Sequence, residues 1–153
     1  MEEGPWYETV PIPALLRHAR TTYGKAMRAA LEAAGYDDIP ANGLYIIGGL
    51  SLSNDVPLRQ LVKELGISKQ GAGQLVDALV MRGYLARNVD ARDRRQLIVA
   101  LTERGRAAAD VQREAREQID ATLRARVGDE SVREARRALG ALIEIDHEEG
   151  EST

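Results

Sequence analysis

The chain contains no cysteine, no phenylalanine, one tryptophan and two histidines among 153 residues. Without cysteine there is no disulfide, no thiolate metal site and no thiol-based redox sensing. Without phenylalanine, and with few other aromatics, the core must be built mainly from Leu, Val, Ile and Ala, a composition that favours helices. His18 and His147 alone do not make a dedicated zinc site, so no metal and no other cofactor is expected. No apolar run approaches the roughly 18 residues a membrane span needs. The start MEEGPWYE lacks the basic, then apolar layout of a signal peptide, so the expectation is a cytoplasmic protein with no membrane partner. Catalytic motifs are missing too. In the Gly71-Ala72-Gly73 stretch Val76 takes the last glycine position of G-x-G-x-x-G, and the segment reads as helix rather than as a strand-to-helix turn. No Walker sequence occurs, and neither histidine sits where it could activate a serine, so the chain is not expected to be an enzyme.

What is present is a balanced globular composition, 44% hydrophobic and 29% charged, at the length of a single domain. The charges are segregated. Residues 57 to 106 carry ten Lys and Arg against five acids, a net +5, in a chain whose total is −3, so the remainder is −8. A basic centre in an acidic frame suits a protein that attracts a polyanion with one face and stays soluble through the others.

Hydrophobic spacing supplies the frame. Residues 12 to 34 place Ile12, Leu15, Leu16, Ala19, Tyr23, Ala26, Met27, Ala30 and Leu31 at steps of three and four, an amphipathic helix. GLYIIGGLSL (43–52) reads as a short buried helix, and Val56 as a brief strand before Pro57 opens the next helix. That helix carries Leu58, Leu61, Val62 and Leu65 on one face and stops at Gly66. After the tight turn, Ser68 is a good N-cap for a second helix. Its inward stripe is Ala72, Leu75, Val76, Leu79 and Val80, while Lys69, Gln70, Gly73, Gln74 and Asp77 face the other way. Two short helices joined in this way make a helix-turn-helix, whose second helix can show its polar side to a DNA groove.

YLARNV (84–89) and QLIVAL (96–101) read as two strands flanking the loop DARDRR. A hairpin directly after a helix-turn-helix is a wing. Arg92, Arg94 and Arg95 at its tip suit the narrow minor groove, where negative potential is focused and a planar guanidinium fits. Asp90 and Asp93 act within the loop as a brace, pairing with Arg92 or Arg95 and accepting turn amides, so that Arg94 points outward. Thr102 caps a long helix from about 103 to 127 with Val111, Ala115, Ile119, Leu123 and Val127 in series. GDES starts another helix, with Val132, Ala135, Leu139, Leu142 and Ile143. The expected fold is mainly α with a small β-wing: one domain, 1–153, in which a winged helix-turn-helix core (43–101) is flanked by dimerisation helices (12–34 and 103–146). Residues 1–11 form an arm and 147–153 an acidic tail. Long terminal helices with uncovered apolar stripes call for a second copy of the chain.

The stretch LVKELGISKQGAGQLVDALVMRGYLARNVDARDRRQLIVALTERG resembles the winged-helix core of the MarR (multiple antibiotic resistance regulator) family of bacterial transcription factors. The likeness rests on the D-x-R-D-x-R wing, the L-x-x-x-G-Y-L strand entry and the L-T-x-x-G that opens the next helix, and is strongest over 43 to 106. It implies a homodimer that binds double-stranded DNA at a pseudo-palindromic operator, usually as a repressor, and often lets go when a small anionic or phenolic ligand binds. It further implies that Ser68, Lys69, Gln70 and Gln74 meet bases and phosphates, joined by Gly73 and Arg59, and that Arg94 is the wing tip with Asp93 and Arg95 as its brace. Three positions depart from the pattern: Gly71 and Gly73 replace residues with side chains, Gln74 stands in place of a longer basic residue, and Pro57 in place of a hydroxyl cap. The resemblance also puts an effector near the first helix and the helix of 43–50, where His18, Tyr23 and Tyr45 are candidates, with Trp6 and Tyr7 if the arm folds over the cleft. The alternative function is a winged-helix protein that senses a ligand or captures a protein partner, with little specific DNA binding.

Overall fold

Apolar residues at helical spacing after Pro11 form α1 (Ile12–Ala33), which buries Gly24, Met27 and Leu31 and leaves Ile12 exposed. The computed structural model describes residues 4–53, 56–57, 59–60, 63 and 66–151. The chain divides into two compact units, Met1–Arg116 and Glu117–Thr153. Ahead of α1 the arm makes a single 3-10 turn, Trp6–Glu8. It does not fold over a cleft: Trp6 is 71% exposed and stacks only edge-on against the adjacent Tyr7.

The apolar run of 43–52 is the helix α2 (Gly43–Leu52), burying Leu44, Ile46, Ile47 and Leu50 on nearly all sides. Val56 and Pro57 then form β1, paired antiparallel with β3 (Leu97–Leu101) so that Val56 faces Val99 and Pro57 faces Ile98. Pro57 is thus a strand residue and not the first residue of the following helix. Proline is tolerated there because β1 is an edge strand of the sheet, whose order is β1-β3-β2 with β2 at Leu85–Val89. Arg59, Gln60 and Lys63 are helical, whereas the apolar positions Leu58, Leu61, Val62 and Leu65 lie outside the described residues.

The second helix of the pair is α3 (Lys69–Met81), with Ala72, Val76 and Leu79 buried, as the stripe requires. It ends where Tyr84 N–H donates to the Leu79 carbonyl and Gly83 N–H to that of Val80, a paired-bond cap that needs the left-handed φ of 83° at Gly83. The chain enters β2 (Leu85–Val89) at once, in antiparallel register with β3: Leu85 faces Leu101 and Val89 faces Leu97. Helical residues then run through α4 (Glu103–Glu151) with one break, Gly128, at φ 84° and ψ 164°. The break falls where GDES announced a new helix, and the helix continues through the acidic end to Glu151.

Within the first unit, α4 buries Gly105, Ala108, Ala109, Gln112 and Ala115. The expected series began at Val111, which is only partly buried. Small residues win the inward positions because the start of the helix lies close against the wing base. In the second unit Leu123, Val127, Leu139, Leu142, Ile143 and Ile145 are exposed.

Tyr84, fully buried, supplies the large ring that a core without phenylalanine otherwise lacks. Its hydroxyl donates to Asp38, and Arg104 reaches both the Asp38 carboxylate at 3.2 Å and the Tyr84 hydroxyl at 3.0 Å. Arg82, just past α3, donates to the Asp38 backbone carbonyl. The loop after α1 is thereby tied to the end of α3 and the start of α4. The Tyr84 bond is the main reason that the Asp38 carboxyl lies below its ordinary range. Burial, then the Asp38 bond, push the Tyr84 phenol up to about 12. The unfolded chain loses that proton near pH 10. Tyr84 therefore contributes fully below pH 10, and its contribution disappears as pH rises through 12. Urea midpoints at about pH 9 and about pH 11 are expected to fall further for the wild type than for Tyr84→Phe; equal losses would remove Tyr84 as the cause.

Candidate nucleic-acid interface

The polar side of α3 begins at its cap. Ser68 Oγ accepts the Gly71 N–H at 3.0 Å, which satisfies one of the orphan donors of the first turn and sets where the helix starts. Lys69, Gln70, Gln74 and Asp77 are exposed and Gly73 is half-buried, so the surface expected from the spacing is the surface that α3 shows. A Cβ added at Gly73 meets nothing within 4 Å among the described residues. Gly73→Ala is accordingly expected to stabilise the free protein by about 0.5–1 kcal/mol, through helix propensity alone. A lower melting temperature would show that the open space is taken up by something else.

The loop between β2 and β3 is held by its own backbone. Asp90 N–H donates to the Gln96 carbonyl at 3.0 Å and Gln96 N–H to that of Asp93 at 2.9 Å. Asp90 Oδ1 accepts the Arg92 amide at 2.9 Å and Asp93 Oδ1 the Arg95 amide at 3.1 Å. The two aspartates therefore brace the loop through turn amides, and no ion pair among the described residues joins them to Arg92, Arg94 or Arg95. An Asx-type amide bond is shorter in reach and needs less side-chain ordering than a guanidinium pair. All three arginines stay exposed.

Two contacts set wing against helix. Arg87 on β2 forms an ion pair with Asp77 on α3. Gln96, with its amide oxygen turned toward Arg59, accepts from Nη2 at 2.9 Å and Nε at 3.1 Å. Between them Arg59, Lys69, Gly73, Asp93 and Arg95 line one open groove of about 680 Å³. The sequence offered no sign of the Arg87–Asp77 and Arg59–Gln96 pairs, because each joins residues from different elements. Ser68, Gln70, Gln74, Arg92 and Arg94 stand outside the groove lining, on the exposed surface.

An N-capped helix with a polar outer face, followed by an arginine-tipped hairpin, occupies the segment that a family model also matches: residues 38–96 fit the MarR family. Over those residues the winged core is similar to the MarR family. The family consists of transcription regulators rather than enzymes. Solved structures share the fold. Streptococcus pneumoniae FabT in complex with DNA has a TM-score of 0.72 at 17% identity, covering 90% of this chain and 99% of that one. A variant of E. coli MarR complexed with operator DNA has a TM-score of 0.70 at 18% identity, covering 92% and 99%. A MarR transcriptional regulator from Methanosarcina mazei Go1 has a TM-score of 0.70 at 21% identity, covering 88% and 98%. No curated protein matches the chain.

The winged core adjoins a second candidate site. A cavity of about 230 Å³ lies in the first unit, lined among others by Met27, Leu44, Tyr45, Gly48, Gln112 and Arg116. Of the residues expected to meet a ligand only Tyr45 lines it. Tyr45 is half-buried, and the Arg20 guanidinium lies 4.0 Å over its ring. His18 is exposed, Tyr23 packs against the core from its edge, and Trp6 is on the open arm. His18 on α1 and Trp6 on the arm are both exposed and do not line this cavity. Gln112 and Arg116 were missed. The available signal was a glutamine standing in the Ala108-Ala109-Ala115 stripe, a polar residue at an inward position. No helix among the described residues is long and apolar enough to cross a membrane.

Proposed function

We propose that this chain is a homodimeric, sequence-specific DNA-binding regulator, a repressor of a pseudo-palindromic operator that a small effector releases. The observation that carries the reading is the shared groove of α3 and the wing, where Arg59, Lys69 and Arg95 meet around Gly73. In this reading Ser68, Lys69, Gln70, Gly73 and Gln74 approach the major groove, and Gln74 and Gln70 suit adenine edges. Arg94, with Arg92 and Arg95, enters the minor groove while Asp90 and Asp93 keep the loop in shape. The DNA in the complexes of FabT and of the E. coli MarR variant supports carrying this arrangement over.

The dimer reading rests on exposed apolar side chains. Leu123, Val127, Leu139, Leu142, Ile143 and Ile145 of the second unit, with Ile12 on α1, make more open apolar surface than a lone chain keeps. A two-fold pair would present two recognition helices roughly 34 Å apart, one turn of duplex. The regions 12–34 and 103–146 would then serve dimerisation and 43–101 DNA. The effector site is the Tyr45–Gln112 cavity. The location is cytoplasmic, where the operator is.

The test is fluorescence anisotropy of the full chain with duplex from upstream of its own gene, against a scrambled duplex, over a salt series. Tight, selective binding that weakens steeply with salt is expected, because phosphate contacts release counterions. Absence of salt-dependent binding to any duplex would sink the regulator reading in favour of a ligand-sensing or protein-interaction module. Sedimentation at the same concentrations is expected to show a dimer.

A further inference from the structure

The groove between α3 and the wing is a recess, and a recess cannot read base edges. In a duplex the base edges lie at the bottom of grooves that a side chain must enter from outside, whereas the ridge between one groove and the next is a sugar-phosphate strand. With a helix in one groove and a wing in its neighbour, that ridge falls between them. Three cations from three elements meet there: Arg59 after β1, Lys69 at the start of α3 and Arg95 in the loop. None of the three is in an ion pair among the described residues. Asp93, a carboxylate on the same groove, gives its Oδ1 to the Arg95 amide at 3.1 Å. Gly73 brings no side chain into the space.

Arg59 is held differently from its neighbour Arg87. Arg87 pairs with Asp77, which offsets its charge. Arg59 instead gives Nη2 and Nε to the Gln96 amide oxygen at 2.9 Å and 3.1 Å. A neutral acceptor fixes the guanidinium while leaving its charge and its other N–H donors for an anion. Gln96 is half-buried, and its own backbone closes the wing loop, accepting the Asp90 N–H at 3.0 Å and donating to the Asp93 carbonyl at 2.9 Å. The direction of Arg59 is therefore tied to the shape of the wing. We infer that this groove seats one sugar-phosphate strand of the duplex, and that Gln96 is a positioning residue that holds Arg59, with its charge intact, toward a phosphate of that strand. The inference rests on the DNA-binding reading and adds which surface takes the backbone and which residue prepares it. A long side chain ordered before docking loses less entropy on binding.

Anisotropy over a salt series tests this, with the full chain as wild type, Arg59→Met, Gln96→Met and the double variant, on the upstream duplex and its scrambled control. Arg59→Met is expected to make the salt slope shallower by about 1 for each subunit on the DNA, and to weaken both duplexes by the same factor, as the loss of a phosphate contact does. Gln96→Met is expected to weaken binding about two- to tenfold per subunit when Arg59 is present, and to have no effect once Arg59 is methionine. Equal effects of Gln96→Met in both backgrounds would overturn the positioning role. An unchanged slope for Arg59→Met would overturn the phosphate seat, as would weakening confined to the upstream duplex, which would make Arg59 a base reader. If Gln96→Met does not fold, the slope of Arg59→Met still decides. Absence of salt-dependent binding to any duplex overturns the regulator reading and this inference together; salt-dependent binding with an additive cycle or an unchanged slope overturns this inference alone.

Discussion

Replacing Arg94 with alanine is expected to weaken duplex binding by about 1–3 kcal/mol for each wing that reaches DNA. In a dimer the two wings are far enough apart for the losses to add, so the affinity falls by about two orders of magnitude or more. The reason lies in the loop. Asp90 and Asp93 spend their carboxylates on the backbone amides of Arg92 and Arg95, at 2.9 Å and 3.1 Å, and leave the guanidiniums exposed and unneutralised. A charge held out on a braced turn loses little entropy on docking. The variant should keep the melting temperature of the wild type, since an exposed loop side chain contributes little to folding. Anisotropy over a salt series checks it, with a shallower salt slope expected alongside the weaker binding. Unchanged affinity would take the wing tip out of the interface and leave α3 alone to carry it.

Replacing Gly105 with alanine is expected to damage the fold itself. An added Cβ would stand 2.1 Å from the Tyr84 carbonyl oxygen and 3.0 Å from Leu101 Cδ2. The first of these is backbone and cannot swing aside, and the same oxygen accepts the Thr102 N–H at 3.1 Å. Thr102 in turn caps α4, its Oγ1 accepting the Gly105 N–H at 3.1 Å and donating to the Gly83 carbonyl. One methyl group therefore pushes the start of α4 away from the point where α3 ends and β2 begins. Overpacking of this kind costs typically 1–3 kcal/mol and sometimes more, and the rigid neighbour places this case at about 3 kcal/mol or above. Urea unfolding followed by circular dichroism should show the midpoint lowered by about 1 M or more. An unchanged midpoint would mean that the helix slides without loss.

Much of the architecture is legible from neighbours in the chain. Periodicity marks α1, α2 and α3, the hydroxyl of Ser68 marks the start of α3, and the D-x-R-D-x-R loop between two branched runs marks the wing. Each of these signals acts within about one helical turn or one hairpin, so it survives without knowledge of the rest of the molecule. Other features depend on distant partners. Pro57 looks like a helix opener by local rule, yet its pairing opposite Ile98 makes it an edge-strand residue. Tyr23, His18 and Trp6 have polar-tipped rings that suit a ligand, yet only Tyr45 is carried to the cavity by the packing of α2 against α4's first turns.

The sequence by itself determined the order of the elements, the capped helix α3 with its polar outer face, the exposed arginines of the wing and the likeness of the core to the MarR family, because spacing, capping and turn chemistry are local. Tertiary structure alone decided that Arg59, Lys69 and Arg95 share one groove, that Asp77 pairs with Arg87 across helix and wing, and that Gln112 is left with an unpaired acceptor. Those facts depend on strand register and helix packing, which bring together side chains far apart in the chain; no local preference specifies which of them will meet.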